Sequence, residues 1–316
     1  FSRQAAAPAA FQLATITLQE QAPAVRESVV FPADSGVVVL TEAPYFADPT
    51  GVADSTAAIN QALDDYGNGN RILYLPDGHY RISDTLRWGN GPHSGTTQKR
   101  TILQGQSRLG TRIFIAAETP GFIDPANAKA LIWTGNRPAQ RFRNSIRNLT
   151  VDVAENNPGA IGIQYNTSNQ GSIRDVRIRS FDLQGKYGLD CGFTDEIGPM
   201  LGRDLEIIGF EVGVRTFFQV NSMTFERVVL RDQTVMGWHN FQQVLNIRGL
   251  TSYNHRNIPI LFNQKDAPGT IVLLDSTFYN TGSATLDRAV WNQKNLFARN
   301  VTTDGYTLAI DNDDKG

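Results

Sequence analysis

The sequence predicts an all-β fold, a right-handed parallel β-helix with a short capping helix near its N-terminus, on three observations. First, a phrase recurs as Ile146-Arg147-Asn148-Leu149-Thr150-Val151, Ile173-Arg174-Asp175-Val176-Arg177-Ile178 and Gly202-Arg203-Asp204-Leu205-Glu206-Ile207. Weaker copies surround Arg227, Gly249, Asp275 and Asn300, so the steps counted from Asn148 are 27, 29, 23, 22, 26 and 25 residues. Repeats of this length mark stacked coils, each of which buries its inward side chains only against its neighbours. Second, apolar and polar residues alternate within a repeat and β-branched side chains abound, the pattern of strands. Third, segments with helical periodicity are nearly absent.

The elements follow in order. Residues 1–45 read as an extended lead-in ending in the apolar run 36–40, and residues 46–316 as one β-helix domain. Ser55 or Asp54 is placed to cap a helix whose Ala58, Ile59, Ala62 and Leu63 share one face. Such a helix has a purpose, because the first coil would otherwise expose its apolar stacking surface and an unpaired strand edge. Residues 71–82 read as two strands around the turn Pro76-Asp77-Gly78. Each later repeat pairs the recurring phrase with a second β-like run, at 160–163, 188–191, 212–215 and 258–261.

Composition narrows the function classes. The 316 residues are 41% hydrophobic with a formal charge of -2, which gives no reason to expect a nucleic-acid or membrane partner. Cys191 is the only cysteine, so an intramolecular disulfide is impossible, and the four histidines lack metal-ligand spacing. Neither a metal nor a cofactor is expected. The chain opens at Phe1 on an Ala/Pro/Gln-rich stretch, which suits a secreted or extracellular protein.

Chemistry is most concentrated in Gly188-Leu189-Asp190-Cys191-Gly192-Phe193-Thr194-Asp195-Glu196, within the longest step between repeats. Glycoside hydrolysis uses one carboxylic acid to protonate the leaving oxygen and a second carboxylate as base or nucleophile. Asp190, Asp195 and Glu196 are therefore candidate catalytic residues on a protruding loop. Adjacent residues of an extended segment point to opposite sides, so one of Asp195 and Glu196 faces the substrate, and Glu196 is preferred. The alternative is a turn satisfied by Asp190 with the other two carboxylates solvated. Trp238 and His239, with Tyr165 and Phe218, are candidate platforms for the C–H faces of a sugar ring, Trp238 in a polar bend after Gly237. Arg147, Arg174, Arg203, Arg248 and Arg299 share one place in their repeats and would form a basic stripe or a neutralised structural ladder.

The opening resembles that of pectate-lyase-superfamily β-helix proteins, where a "GDGVTDDTAAINAAI" helix precedes a "YLPAGTY" strand. Here the matching segments run from Asp48 to Asp65 and from Tyr74 to Tyr80. Residues 157–176 resemble the "ATGIHW…AQATSLQNV" coil of glycoside hydrolase family 55, the β-1,3-glucanases, and residues 272–281 its "TLIDSSISNT" segment. The likeness implies a polysaccharide substrate, with Gln170 and Gln219 at positions of water-positioning glutamines and Thr194 near a serine of the family's "GSGG" turn. It corresponds to the first of that family's two β-helices, the second of which supplies the acid. A second β-helix domain or self-association is therefore an expected partner.

Three readings result. The first is a glycoside hydrolase acting on a β-glucan. The second is a lyase on a uronate polymer, in which arginine would steady the carboxylate. The third is a non-catalytic glycan-binding β-helix.

Overall fold

Alternation of inward and outward side chains is realised as two parallel sheets wound into one solenoid. The computed structural model describes residues 29–89, 99–136, 141–217, 222–264, 269–282 and 286–313. Among these, a thirteen-stranded sheet starts at Val37–Val39 and ends at Asn295–Asp304, and a nine-stranded sheet runs from Leu86–Arg87 to Tyr306–Asn312.

The long strands of the first sheet include Ser145–Asp152, Gly171–Arg179, Met200–Ile208 and Ser222–Arg231. Each bends at one left-handed residue. These residues are Asn148, Asp175, Asp204, Arg227, Gly249, Asp275 and Asn300, with φ between 52° and 72°. They are the positions from which the repeat was counted. Left-handed backbone is open to glycine and tolerated by Asn and Asp, so the bend restricts composition wherever it recurs.

Inward columns fill the solenoid. One runs Ile146, Ile173, Gly202, Phe225, Ile247, Leu273. The smallest and largest members are neighbours, and a Cβ on Gly202 would stand 2.3 Å from the Phe225 ring. Another runs Ile163, Leu189, Val214, Trp238, Leu261, Val290 along the second sheet, all fully buried. Where the second sheet turns toward the first, Asn240, Asn263, Asn292 and Asn312 form a ladder of amide hydrogen bonds at 3.1, 2.9 and 2.8 Å. It satisfies polar groups that the turn would otherwise bury unpaired.

The helix spans Thr56–Asp65 and buries Ile59, Ala62 and Leu63 against the first coil. Ser55 is its N-cap residue but its hydroxyl accepts instead from Asp48 N at 2.9 Å. Asp54 Oδ1 accepts from Thr56 N at 2.8 Å and serves the first turn.

Two expectations require correction. The fourth short run lies at Leu261–Gln264, three residues beyond the expected 258–261. Residues Met236–Phe241 form a strand of the second sheet, where a polar bend was expected. Gly237 is there for close packing: a Cβ on it would stand 2.6 Å from Ile260 O in the next coil.

Candidate functional site

Register places one outward side chain per coil in a single column of the second sheet. In successive coils these are Trp133, Gln164, Asp190, Arg215, His239, Phe262 and Trp291. Flat packing follows from the constant spacing of the coils. The His239 ring stacks on Phe262 with centroids 5.4 Å apart and planes 7° apart, and Phe262 stacks on Trp291 at 4.1 Å.

Asp190 is locked within this column. Its side chain is fully buried and accepts from Arg215 Nε and Nη2 at 2.8 and 2.9 Å, from Gly192 N at 2.8 Å and from Gln164 Nε2 at 3.1 Å. Burial alone would lower the pKa of Arg215, but the charge and paired hydrogen bonds of Asp190 override it and raise that pKa. A fully buried carboxylate held by four donors beneath a guanidinium has no free face to offer a substrate. The expectation that Asp190 is a catalytic residue is thereby corrected: it is a buried counter-ion. Cys191 beside it is a buried thiol whose pKa is raised, first by burial and then by the Asp190 charge.

Above this pair lies an open depression of about 240 Å³ lined by Gly192, Arg215, Phe217, His239, Phe241 and Gln264. Phe217 and Phe241 form one wall, their ring centroids 4.6 Å apart. His239 Nε2 lies 2.6 Å from Gln264 Oε1, an acceptor, which assigns the proton of the neutral ring to Nε2 and leaves Nδ1 as an acceptor. Burial lowers the pKa of His239, the Gln264 hydrogen bond opposes this, and the Arg215 charge adds to the lowering. Since the folded state binds this proton less readily than the unfolded chain, stability is retained above about pH 6.5 and lost as pH falls below it. Melting curves of H239Q between neutral and mildly acid pH are expected to show a shallower loss than wild type. Parallel slopes would mean that His239 is not buried as a neutral ring.

The depression adjoins the loop between Tyr187–Cys191 and Met200–Ile208. Phe193 packs on the core and Ile197 is fully buried, so two apolar anchors display Thr194, Asp195 and Glu196 between them. Buried Gln243 supports the loop from within, its Nε2 3.2 Å from Phe217 O and 3.5 Å from Ile197 O. Asp195 is exposed, Thr194 and Glu196 are half-buried, and Thr194 Oγ1 lies 3.4 Å from Asp195 Oδ1. Glu196 has φ 53°, a left-handed conformation that is costly for a long side chain. Strict alternation of side chains therefore does not hold across Asp195 and Glu196. One coil below, exposed Gln170 donates its backbone N–H to Pro199 O at 3.3 Å, and Gly198 N donates to Thr167 O at 2.8 Å. Gln170 thus lies against the Pro199 end of the loop that carries Thr194, Asp195 and Glu196.

Other expected residues are not at this surface. Tyr165 is fully buried, its hydroxyl donating to Asn144 O at 2.6 Å. Trp238 is fully buried, edge-to-face with Phe225 at 4.7 Å, with Nε1 donating to Thr216 Oγ1 at 3.1 Å. Neither is a platform for a sugar, because each ring points along an inward register. His239 faces outward but one ring face is taken by Phe262. Gln219 and Phe218 lie outside the described residues. Among the described residues no group of three or more His, Cys, Asp and Glu is placed to hold a metal ion.

Sequence reasoning missed Arg215, Phe241, Phe262, Gln264 and Trp291. A signal for the column was present in the triplets Gly162-Ile163-Gln164, Gly188-Leu189-Asp190, Gly213-Val214-Arg215 and Gly237-Trp238-His239. Each reads glycine, inward apolar, outward polar.

Comparison with known proteins agrees with the architecture. Residues 44–257 match the family model described as rhamnogalacturonase A/epimerase, pectate lyase-like. Among curated proteins, none matches the sequence. Solved structures similar in fold include ORF18 of Geobacillus virus E2, with a TM-score of 0.55 at 14% identity over 88% of this chain. This chain covers 62% of that one. Escherichia coli ybhc matches with a TM-score of 0.52 at 13% identity, over 92% of this chain and 90% of that chain. Pectin methylesterase PemA from Erwinia chrysanthemi matches with a TM-score of 0.49 at 13% identity, over 85% and 89% of the two chains.

Proposed function

We propose that this chain, which belongs to the rhamnogalacturonase A/epimerase, pectate lyase-like family, is a secreted polysaccharide-active protein that hydrolyses glycosidic bonds at the edge formed by residues 192–199. The observation that carries this reading is that exposed Gln170 is bonded through its backbone to the end of the loop that displays Thr194, Asp195 and Glu196, beside the depression over Arg215 and His239. In this reading Glu196 protonates the glycosidic oxygen as the C1–O bond breaks and its electron pair passes to that oxygen. Water held by Gln170 and Thr194 attacks C1 and gives its proton to Asp195. The likeness to β-1,3-glucanases makes β-1,3-glucan the first polymer to test, with a second β-helix or another copy of the chain as a partner that would deepen the cleft.

E196Q is expected to lose roughly a hundred- to ten-thousand-fold in reducing ends released from laminarin, with an unchanged melting midpoint. D195N should lose activity as well. Full activity in both variants, or no cleavage of any polymer by the wild type, would remove the hydrolase reading. A lyase is the second reading, favoured by the neutral imidazole of His239 one coil from the Arg215 guanidinium. It would reveal itself as ultraviolet absorbance of an unsaturated uronate product.

A further inference from the structure

The outer face of the thirteen-stranded sheet carries a second group of charges. Arg147, Arg174 and Arg203 occupy one register column in three consecutive coils, with Gln104 next below. Neighbouring strands lie about 4.8 Å apart, so three arginine side chains leave the sheet at that spacing. With Asn148, Asp175 and Asp204 they line a depression of about 260 Å³.

The carboxylates nearby are committed to other partners. Asp204 receives Arg227 Nε and Nη2 at 2.6 and 2.8 Å, and Asp175 Oδ1 lies 3.5 Å from Arg108 Nη1. Arg203 Nε is 3.3 Å from Asp204 Oδ2, an ion pair without hydrogen-bond alignment. Among the described residues no carboxylate pairs with Arg147 or Arg174, and the buried Nε atoms of all three arginines have no hydrogen-bond partner. Burial, and then the charge of Arg174, lowers the pKa of Arg147. Five guanidiniums, those of Arg108, Arg147, Arg174, Arg203 and Arg227, therefore stand against three carboxylates, those of Asp175, Asp204 and, next to Arg203 in the column, Glu226. Higher in the same column the charges are balanced: Glu226 enters it, and Arg248 Nε bonds Asp275 Oδ2 at 2.9 Å. A neutralised structural ladder describes that upper part and fails for the lower one.

Like charges stacked at strand spacing repel and are desolvated, and among the described residues neither Arg147 nor Arg174 has an ion-pair partner to offset this. A planar guanidinium presents paired donors that fit the two oxygens of a carboxylate or sulfate. We propose that Arg147, Arg174 and Arg203 form a binding site for oxyanions carried by a polysaccharide, either uronate carboxylates or sulfate esters. The site lies apart from the 192–199 edge and does not depend on any chemistry there.

The test is equilibrium binding of the full chain to polygalacturonate, dextran sulfate and laminarin, comparing wild type, R174Q, R147Q and, as a control in the balanced part of the column, R248Q. R174Q and R147Q are each expected to weaken binding of one or both polyanions by roughly 10- to 100-fold, the effect of losing a charge-assisted hydrogen bond. R248Q and laminarin binding should be unaffected. The preferred polyanion tells carboxylate from sulfate. Because one of a set of like charges is removed, R174Q should melt no lower than wild type. Absence of polyanion binding by the wild type, equal losses in R248Q, or a marked fall in the melting midpoint of both R174Q and R147Q would overturn the proposal and return the stack to the framework. Since the readout is polyanion binding, failure of glucan hydrolysis would leave the proposal standing.

Discussion

Replacing Asp190 by alanine is expected to destabilise the protein by about 3–5 kcal/mol, the range seen when one partner of a buried ion pair is removed. Asp190 is fully buried, and the side chain of Arg215 is only 28% exposed, its guanidinium lying 4.5 Å from the centroid of the Tyr187 ring. Alanine would leave that guanidinium uncompensated and would also orphan the Gly192 N–H at the root of the 192–199 loop. D190N keeps the volume and an acceptor but loses the charge, so its loss should be smaller. Urea unfolding followed by circular dichroism reads both. A double-mutant cycle with R215A should show that the two losses are not additive, since the pair is one unit. A D190A protein with a wild-type midpoint and no activity would restore Asp190 to the catalytic candidates.

The same lock explains why Asp190 looked catalytic. An acidic residue in a glycine-rich loop has the same appearance whether it meets a substrate or an arginine one coil away. What distinguishes them is register: Asp190 and Arg215 are the outward members of consecutive Gly-apolar-polar triplets. The overall fold was far easier to read, because the seven left-handed bends demand Asn, Asp or Gly, with Arg227 the exception, and so leave a mark at every turn. Outward positions carry no such demand. The solenoid accepts any polar or aromatic side chain there, so the Gly-apolar-polar triplets mark only the stretch from Gln164 to His239, and Trp133, Phe262 and Trp291 join the column only once the strands are aligned. The loop that carries Asp195 and Glu196 was legible for a different reason, since an insertion that lengthens one repeat shows directly in the spacing, whereas Thr194 was reached only through the family resemblance. The loop's anchors, Phe193 and Ile197, and its support, Gln243, were not, because their role depends on contacts made across coils.

Trp238 is the clearest case in which burial reverses an expected role, and W238A is expected to cost about 3–5 kcal/mol, as truncation of a buried tryptophan does. The ring is in edge-to-face contact with Phe225 and lies between Val214 and Leu261 in its column. Backbone ladders hold the coils above and below at fixed spacing, so the walls of the resulting cavity have little freedom to collapse, which places the loss toward the upper end of the range. W238F would keep most of the apolar contact and forfeit only the Nε1 hydrogen bond to Thr216, whose hydroxyl still has Asn240 Oδ1 at 2.8 Å. Its loss should be correspondingly smaller. Since no part of the ring reaches the surface, polysaccharide binding per folded molecule should be unchanged in both variants. Unfolding midpoints and binding measured on the same preparations separate the two roles. A W238A protein that kept its midpoint but lost glycan binding would mean that the ring faces solvent, and would reverse the side assigned to every residue of Met236–Phe241, because a one-residue slip turns each side chain of a strand to the other face.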